Sequence, residues 1–364
     1  MTARIATTAF LLLALLSGCA QPPVATALAQ PVPATPTPGT TIRLSPSPRG
    51  FHFSATDGSG NALVFGGQSA MNVGHSDLTD VWTFDGGDWS QKGPATAGQS
   101  LDTGAYTEAD DRIVIFVGWH WDPKPGDVHN SFTMISETWA YDPGNDTWRN
   151  MAPDPTSMPG GRIGGRISYD SESDKFILFG GLQAPDLRLL ADTWAYDFTT
   201  NTWIDMSPTG ATPPGRNFHG QYYDPVSDRV IVFGSLTARE VLENDTWAYD
   251  YNSNKWTELG PANSPAPRDF PTMVYAGQGH GLLFGGATAN GTPISDPWIY
   301  DAASNTWSQA TFDNQPSPRV HHSMTYDAAR QVIILFGGYV TSQLTPSDET
   351  WTFDTLGRAW SPGP

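Results

Sequence analysis

The tetrapeptide Trp-x-(Tyr/Phe)-Asp occurs six times in this chain, led by Trp82, Trp139, Trp194, Trp247, Trp298 and Trp351. Each copy is answered by a second tryptophan, at Trp89, Trp148, Trp203, Trp256, Trp307 and Trp360. The leading residues stand 57, 55, 53, 51 and 53 positions apart. A period near 50 residues is the signature of an array in which one supersecondary unit cannot bury its own apolar face and must be closed by the next. Trp and the aromatic two residues later share one face of a strand, because side chains alternate with period two. Rings of that size bury roughly 150 to 250 Å² each, more than a lone small sheet covers.

The rest of the repeat follows from local chemistry. Asp-Phe-Thr-Thr-Asn201, Asp-Tyr-Asn-Ser-Asn254 and Asp-Ala-Ala-Ser-Asn305 read as hairpin turns, since Asp caps turns with its own carboxylate and Asn tolerates positive φ. Upstream, runs such as Val230-Ile-Val-Phe-Gly234 and Ile333-Ile-Leu-Phe-Gly-Gly338 read as buried strands ending in glycine, where the backbone needs positive φ or a close approach. A further strand precedes them, typified by Asn217 to Tyr223. Four antiparallel strands per repeat and six repeats predict an all-β fold, a six-bladed β-propeller. Both terminal repeats are complete in the same phase, so the ring is expected to close by packing without exchanging strands.

These residues closely resemble the kelch-repeat family: Arg, about seventeen residues to an apolar-Gly-Gly strand end, a variable loop, acidic-x-Trp-x-(Tyr/Phe)-Asp, then Trp. The resemblance covers roughly Arg49 to Ser361. It implies the fold more firmly than a function, because propellers host unrelated activities. It also implies that ligands bind on the face formed by the second-to-third-strand loops and the inter-blade loops. Those loops are proline-rich here, as in Ser207 to Gly215, which reduces the entropy lost in ordering them.

The N-terminus has a different character. Arg4, the apolar stretch Phe10 to Leu16 and Leu16-Ser17-Gly18-Cys19 resemble a bacterial lipoprotein signal, with residues 1–18 removed and Cys19 lipidated. Cys19 is the single cysteine, so no intramolecular disulfide forms. Residues 19–48 are rich in Pro, Ala and Thr and read as an extended tether, and residues 49–364 as the propeller. Thr40 to Leu44 is expected to add an edge strand. The expected location is the bacterial cell envelope, with the membrane reached through the lipid.

The formal net charge is −18, which excludes nucleic acid as a partner, since phosphates demand clustered Lys and Arg. Twelve of the 37 carboxylates belong to the repeat itself, two residues before and three after each leading Trp. Against that background, Arg49, Arg162, Arg216, Arg268 and Arg319 occupy one equivalent position in five repeats. Two readings stand: an arginine ring around one mouth that grips an anionic partner, or local pairs with the acid before each leading Trp. His52, His219 and His322 share the position three residues later. They read as hydrogen-bonded structural groups, because none of the short His or Cys spacings of a metal site accompanies them, and neither metal nor cofactor is expected.

Blade 2 departs most from the pattern, with Gln99 and Asp102 in the Arg and His positions and a long loop carrying Trp119, His120 and Trp121. Aromatic residues in a long loop over a rigid scaffold suit stacking on a ligand. The copper-radical oxidases that resemble this fold need a tyrosine joined to a cysteine, and Cys19 cannot supply it. Two functions go forward: a tethered, non-catalytic recognition module for a protein or glycan, and, as the alternative, a carbohydrate-processing enzyme of the sialic-acid mutarotase type with Glu240 or Glu243 as base.

Overall fold

A computed structural model describes residues 44–70, 78–94, 103–121, 132–340 and 343–364. The signal and tether, Gln99 and Asp102 lie outside these residues, and so do the side chains of His120 and Trp121. Of the expected edge strand only Leu44 is described, exposed and in no strand. Among the described residues there is no helix, and six four-stranded antiparallel sheets follow one another along the chain. Their first strands are Phe53–Thr56, Thr103–Thr107, Arg166–Asp170, Gly220–Asp224, Thr272–Tyr275 and Ser323–Asp327. In each sheet the strands are ordered as in the sequence, and none is lent to another blade.

The last blade packs on the first. Thr56 and Thr325 share a 2.6 Å hydroxyl hydrogen bond, His52 and Ser323 one of 2.8 Å, and Val64, Trp82 and Trp89 share a core with Ile334 and Phe336. Contact between the two terminal blades without strand exchange is consistent with a β-propeller. The first strand of blade 4 begins at Gly220, not at Asn217 as the sequence suggested. Phe218 is the reason: its φ of 49° turns the chain sharply before the strand starts.

The second tryptophan of each blade ties that blade to the one before it. Trp89, Trp203, Trp256 and Trp307 donate their indole N–H to Thr350, Thr138, Thr193 and Thr246, at 2.8 to 3.0 Å. Each of these threonines stands immediately before a leading Trp of the preceding blade. Where Val81 and Pro297 hold that position, the facing Trp148 and Trp360 have buried indole nitrogens without a partner. Pro297 also lacks an N–H for the ladder, and the third strand of blade 5 starts one residue later, at Trp298.

The hairpins behave as read. Asn201, Asn254 and Asn305 take φ of 51° to 53°. Each accepts the hydroxyl of the motif Tyr at 2.7 to 2.8 Å and donates its amide to a carbonyl of the preceding blade.

Val81→Thr and Pro297→Thr should each supply the absent acceptor, and a buried hydrogen bond of this kind contributes about 0.5 to 1.5 kcal/mol. Urea unfolding of each variant should show a higher midpoint at unchanged slope. No gain in either would mean that the threonine hydroxyl does not stabilise the seam.

Candidate functional site

Each of the five arginines turns inward at the entry to its blade, and none is more than 3% exposed. Arg49, Arg162, Arg216 and Arg268 form two-pronged ion pairs with Asp80, Asp192, Asp245 and Asp296, at 2.6 to 2.9 Å. Arg319 pairs with Glu349. Further guanidinium hydrogens go to the backbone: Nη1 reaches the carbonyl of the first strand-end glycine, Gly66, Gly180, Gly234, Gly285 or Gly337. Nε reaches the carbonyl two residues upstream. The same acids accept the indole N–H of Trp82, Trp194, Trp247, Trp298 and Trp351. The arginines therefore brace the blades, and the anion-gathering mouth is corrected to five local pairs whose guanidinium groups are buried out of a ligand's reach.

Trp119 is likewise corrected. It is 5% exposed, in an apolar layer with Phe51, Ile163, Leu182, Phe218 and Tyr339, and cannot offer a face for stacking. The layer closes the central axis on the side of the inter-blade loops. Phe51, Phe218, Phe270 and His321, each two residues after a bracing arginine, take φ of 49° to 55° and meet there. Phe51 stacks on His321 with ring centroids 3.7 Å apart, and Phe270 lies 4.4 Å from it. Gly164 holds the equivalent place in blade 3; a β-carbon there would come within 2.8 Å of the Phe218 ring. Left-handed bulky residues cost of order 1 to 3 kcal/mol each, which burial of the rings offsets.

Behind this plug runs a channel of about 560 Å³, lined by the first strands of all six blades. His52, His219 and His322 line its closed end, each edge-on to the phenylalanine before the glycines of the preceding blade. Burial pushes all three well below the usual imidazole range, His52 to about 3, with Arg49, Arg216 and Arg319 respectively adding to the effect. They are neutral at physiological pH. Arg166 is the cation of this end, its Nε donating to the His219 carbonyl at 3.3 Å and its guanidinium 5.7 Å from the Phe218 ring centre. Sequence reasoning passed over Arg166, although a charge stands out against Phe53, Thr103, Gly220, Thr272 and Ser323 at the equivalent strand starts.

The other end carries tyrosine at the fourth position of five first strands, Tyr106, Tyr169, Tyr223, Tyr275 and Tyr326, with Thr56 in blade 1. This regularity was visible in the sequence and went unread. Near it, Asp170, Glu172 and Asp228 approach one another, but the Asn252 amide donates to Glu172 and Asp228 at 3.0 and 3.2 Å. Glu240 is exposed and Glu243 faces Arg239 at 3.5 Å. Neither lines the channel.

A family profile, the KLHDC2/KLHL20/DRC7 Kelch-repeats domain, matches residues 105–313 and 226–364. The chain belongs to the kelch-repeat family. Kelch domain-containing protein 2 of Bos taurus is 29% identical over 149 residues, covering 41% of this chain and 36% of its own length. The kelch-motif Rab9 effector protein of Mus musculus is 29% identical over 213 residues, 54% of this chain and 52% of that protein. Multiple epidermal growth factor-like domains protein 8 of the mouse is 28% identical over 194 residues, 50% of this chain and 7% of that protein. The kelch chain thus spans about half or less of these relatives.

Two kelch blades differ at one seam. Ser235 replaces the second glycine in blade 4, and its hydroxyl lies 2.6 Å from the Asn217 carbonyl and 2.8 Å from Asp269 Oδ1. Burial raises Asp269 from its ordinary 3.8 to about 6. Below about pH 4 the folded and unfolded chains both carry this proton; between about 4 and 6 only the folded chain keeps it, so stability falls as pH rises. Above 6 both are ionised and the full loss, on the order of 3 kcal/mol, is in place. Asp269→Asn should gain on the wild type by up to that amount between pH 4 and 7 in paired urea titrations. A difference independent of pH would refute the assignment. Arg216→Ala, which strands the half-buried Asp245, should cost about 3 to 5 kcal/mol, read in the same titration.

Proposed function

We propose that this kelch protein is a non-catalytic recognition module, held at the bacterial cell envelope by a lipid on Cys19, which takes a protein partner on the face of its inter-blade loops. The observation that carries this reading is the plug. With Phe51, Phe218, Phe270 and His321 closing the axis, that face offers a surface to another macromolecule and no entrance to a small substrate. The bracing arginines make the loop bases rigid, and a rigid rim binds without a large ordering cost. Kelch-repeat homologues generally mediate protein–protein interactions, and the mouse relative is by its name an effector of Rab9. The carbohydrate-processing alternative lacks support at its proposed bases, since neither Glu240 nor Glu243 lines the channel.

The tether and the surface are tested together. A photo-cross-linker in place of Val241, 47% exposed in the fourth-blade loop, should trap one envelope protein in intact cells. Arg239→Glu should weaken that product several-fold without changing the unfolding midpoint. Cys19→Ala should abolish acyl labelling and release the chain from membranes. A wild-type chain that takes no acyl label, or a cross-link pattern indistinguishable from that of a probe at the opposite face, would defeat the corresponding half of the proposal.

A further inference from the structure

The open end of the channel is unused by the reading above, and its chemistry is specific. Tyr106, Tyr169 and Tyr223 donate their hydroxyls to Asp111, Asp174 and Asp228 of their own first hairpins, at 2.8 to 3.0 Å. The Tyr275 hydroxyl accepts the Gly279 N–H, and the Tyr326 ring lies edge-on to Tyr275 at 5.6 Å. These rings are therefore fixed in place, half-buried in the seams between blades, with their remaining surface on the channel. Fixed aromatic surface lowers the ordering cost of binding.

Deeper in, the wall is polar, and Arg166 is its charged group, with Nε held by the His219 carbonyl. Gln221 donates to Ser168 Oγ and to the carbonyls of Arg166 and Ile177, at 3.1 to 3.2 Å. His322, 5% exposed, has no partner for either ring nitrogen, and the Ser54 hydroxyl also has none. Buried polar groups are normally satisfied, and each exception asks for a partner. Neutral imidazole, hydroxyl and amide groups offer donors and acceptors together. A sugar hydroxyl, itself both donor and acceptor, answers that mixture. A pyranose also has a C–H face to set against fixed tyrosine rings. The volume of about 560 Å³ falls within the roughly 300 to 1,000 Å³ usual for small-ligand sites. Charge decides between sugars: Glu108 lines the mouth and Asp111, Asp174 and Asp228 sit behind its tyrosines, outnumbering the single Arg166 within, in a chain of net charge −18, which repels an anionic polymer.

From this we infer that the channel is a second site, opposite the plugged face, which receives the terminal residues of a neutral oligosaccharide between the tyrosine belt and the polar inner wall. It is independent of the protein-binding surface, so either can fail without the other. The test is calorimetric titration of the full-length chain in detergent with neutral trisaccharides of glucose, galactose, mannose and N-acetylglucosamine, and with a triuronate of matched length. At least one neutral trisaccharide should bind. Tyr275→Ala and Tyr326→Ala should each weaken it by tenfold or more, while Tyr275→Phe, which keeps the ring, stays within about threefold. Unfolding midpoints of all variants identify any loss that is merely structural. The inference is overturned if no neutral trisaccharide binds, if the triuronate binds more tightly than all of them, or if well-folded Tyr→Ala variants bind as the wild type does.

Discussion

An ion pair built on a buried arginine at the entry to five of six blades, two-pronged in four of them, governs this propeller. The cost of dehydrating a guanidinium is several kcal/mol, and only good geometry with further hydrogen bonds compensates it. Here both conditions hold. In blade 3, Arg162 meets Asp192 through both prongs and donates two further hydrogens to the Gly160 and Gly180 carbonyls. Asp192 then orients Trp194 through its indole N–H; burial alone would raise its carboxyl, but the hydrogen bonds and charge of Arg162 hold it below the ordinary range. The motif is thus a single hydrogen-bonded node that joins three separate stretches of sequence, at Gly160 to Arg162, Gly180 and Asp192 to Trp194. The node also links blades, because the Arg216 carbonyl accepts the Gly181 N–H of the blade before. Gly180 lies so close beneath that a β-carbon would come within 2.5 Å of that carbonyl.

This linkage explains what was legible. Repeated residues whose partners are also repeated reveal their geometry: the Asn at the hairpin end, the paired tryptophans and the blade count all followed from spacing and turn chemistry. Even the exceptions were written in the chain, since Val81 and Pro297 stand where a threonine hydroxyl should face Trp148 and Trp360. The role of the arginines could not be decided in the same way. A ring of equivalent arginines and a ring of equivalent acids are compatible with one shared mouth or with five private pairs. Which holds depends on whether each side chain turns toward the axis or into its own blade, and spacing does not encode that.

The plug was illegible for a different reason. Phe51, Phe218, Phe270 and His321 belong to short segments that pattern alone assigns to strands, as happened with Asn217 to Tyr223. What places them on the axis is a left-handed backbone at each, which a sequence shows readily for glycine or asparagine and hardly at all for phenylalanine. Trp119 was misread in consequence: with no plug in view, an extra tryptophan above the rim looked free to stack, whereas it completes the apolar layer around those rings.

Closing one end changes what the other can do. A channel open at both ends would be a water-filled pore in which weak polar groups compete with solvent along its whole length. A floor of phenylalanine and neutral histidine makes it a blind recess, and in such a recess hydrogen-bonding groups gain strength from the lower local dielectric. Keeping the histidines uncharged is part of that effect. Were His52, His219 and His322 protonated beside Arg49, Arg216 and Arg319, the like charges would repel and the floor would draw in water; burial prevents it. The arginines therefore act on the recess without touching it: by bracing each blade they fix the left-handed residues two positions on, and by their field they help hold the imidazoles neutral.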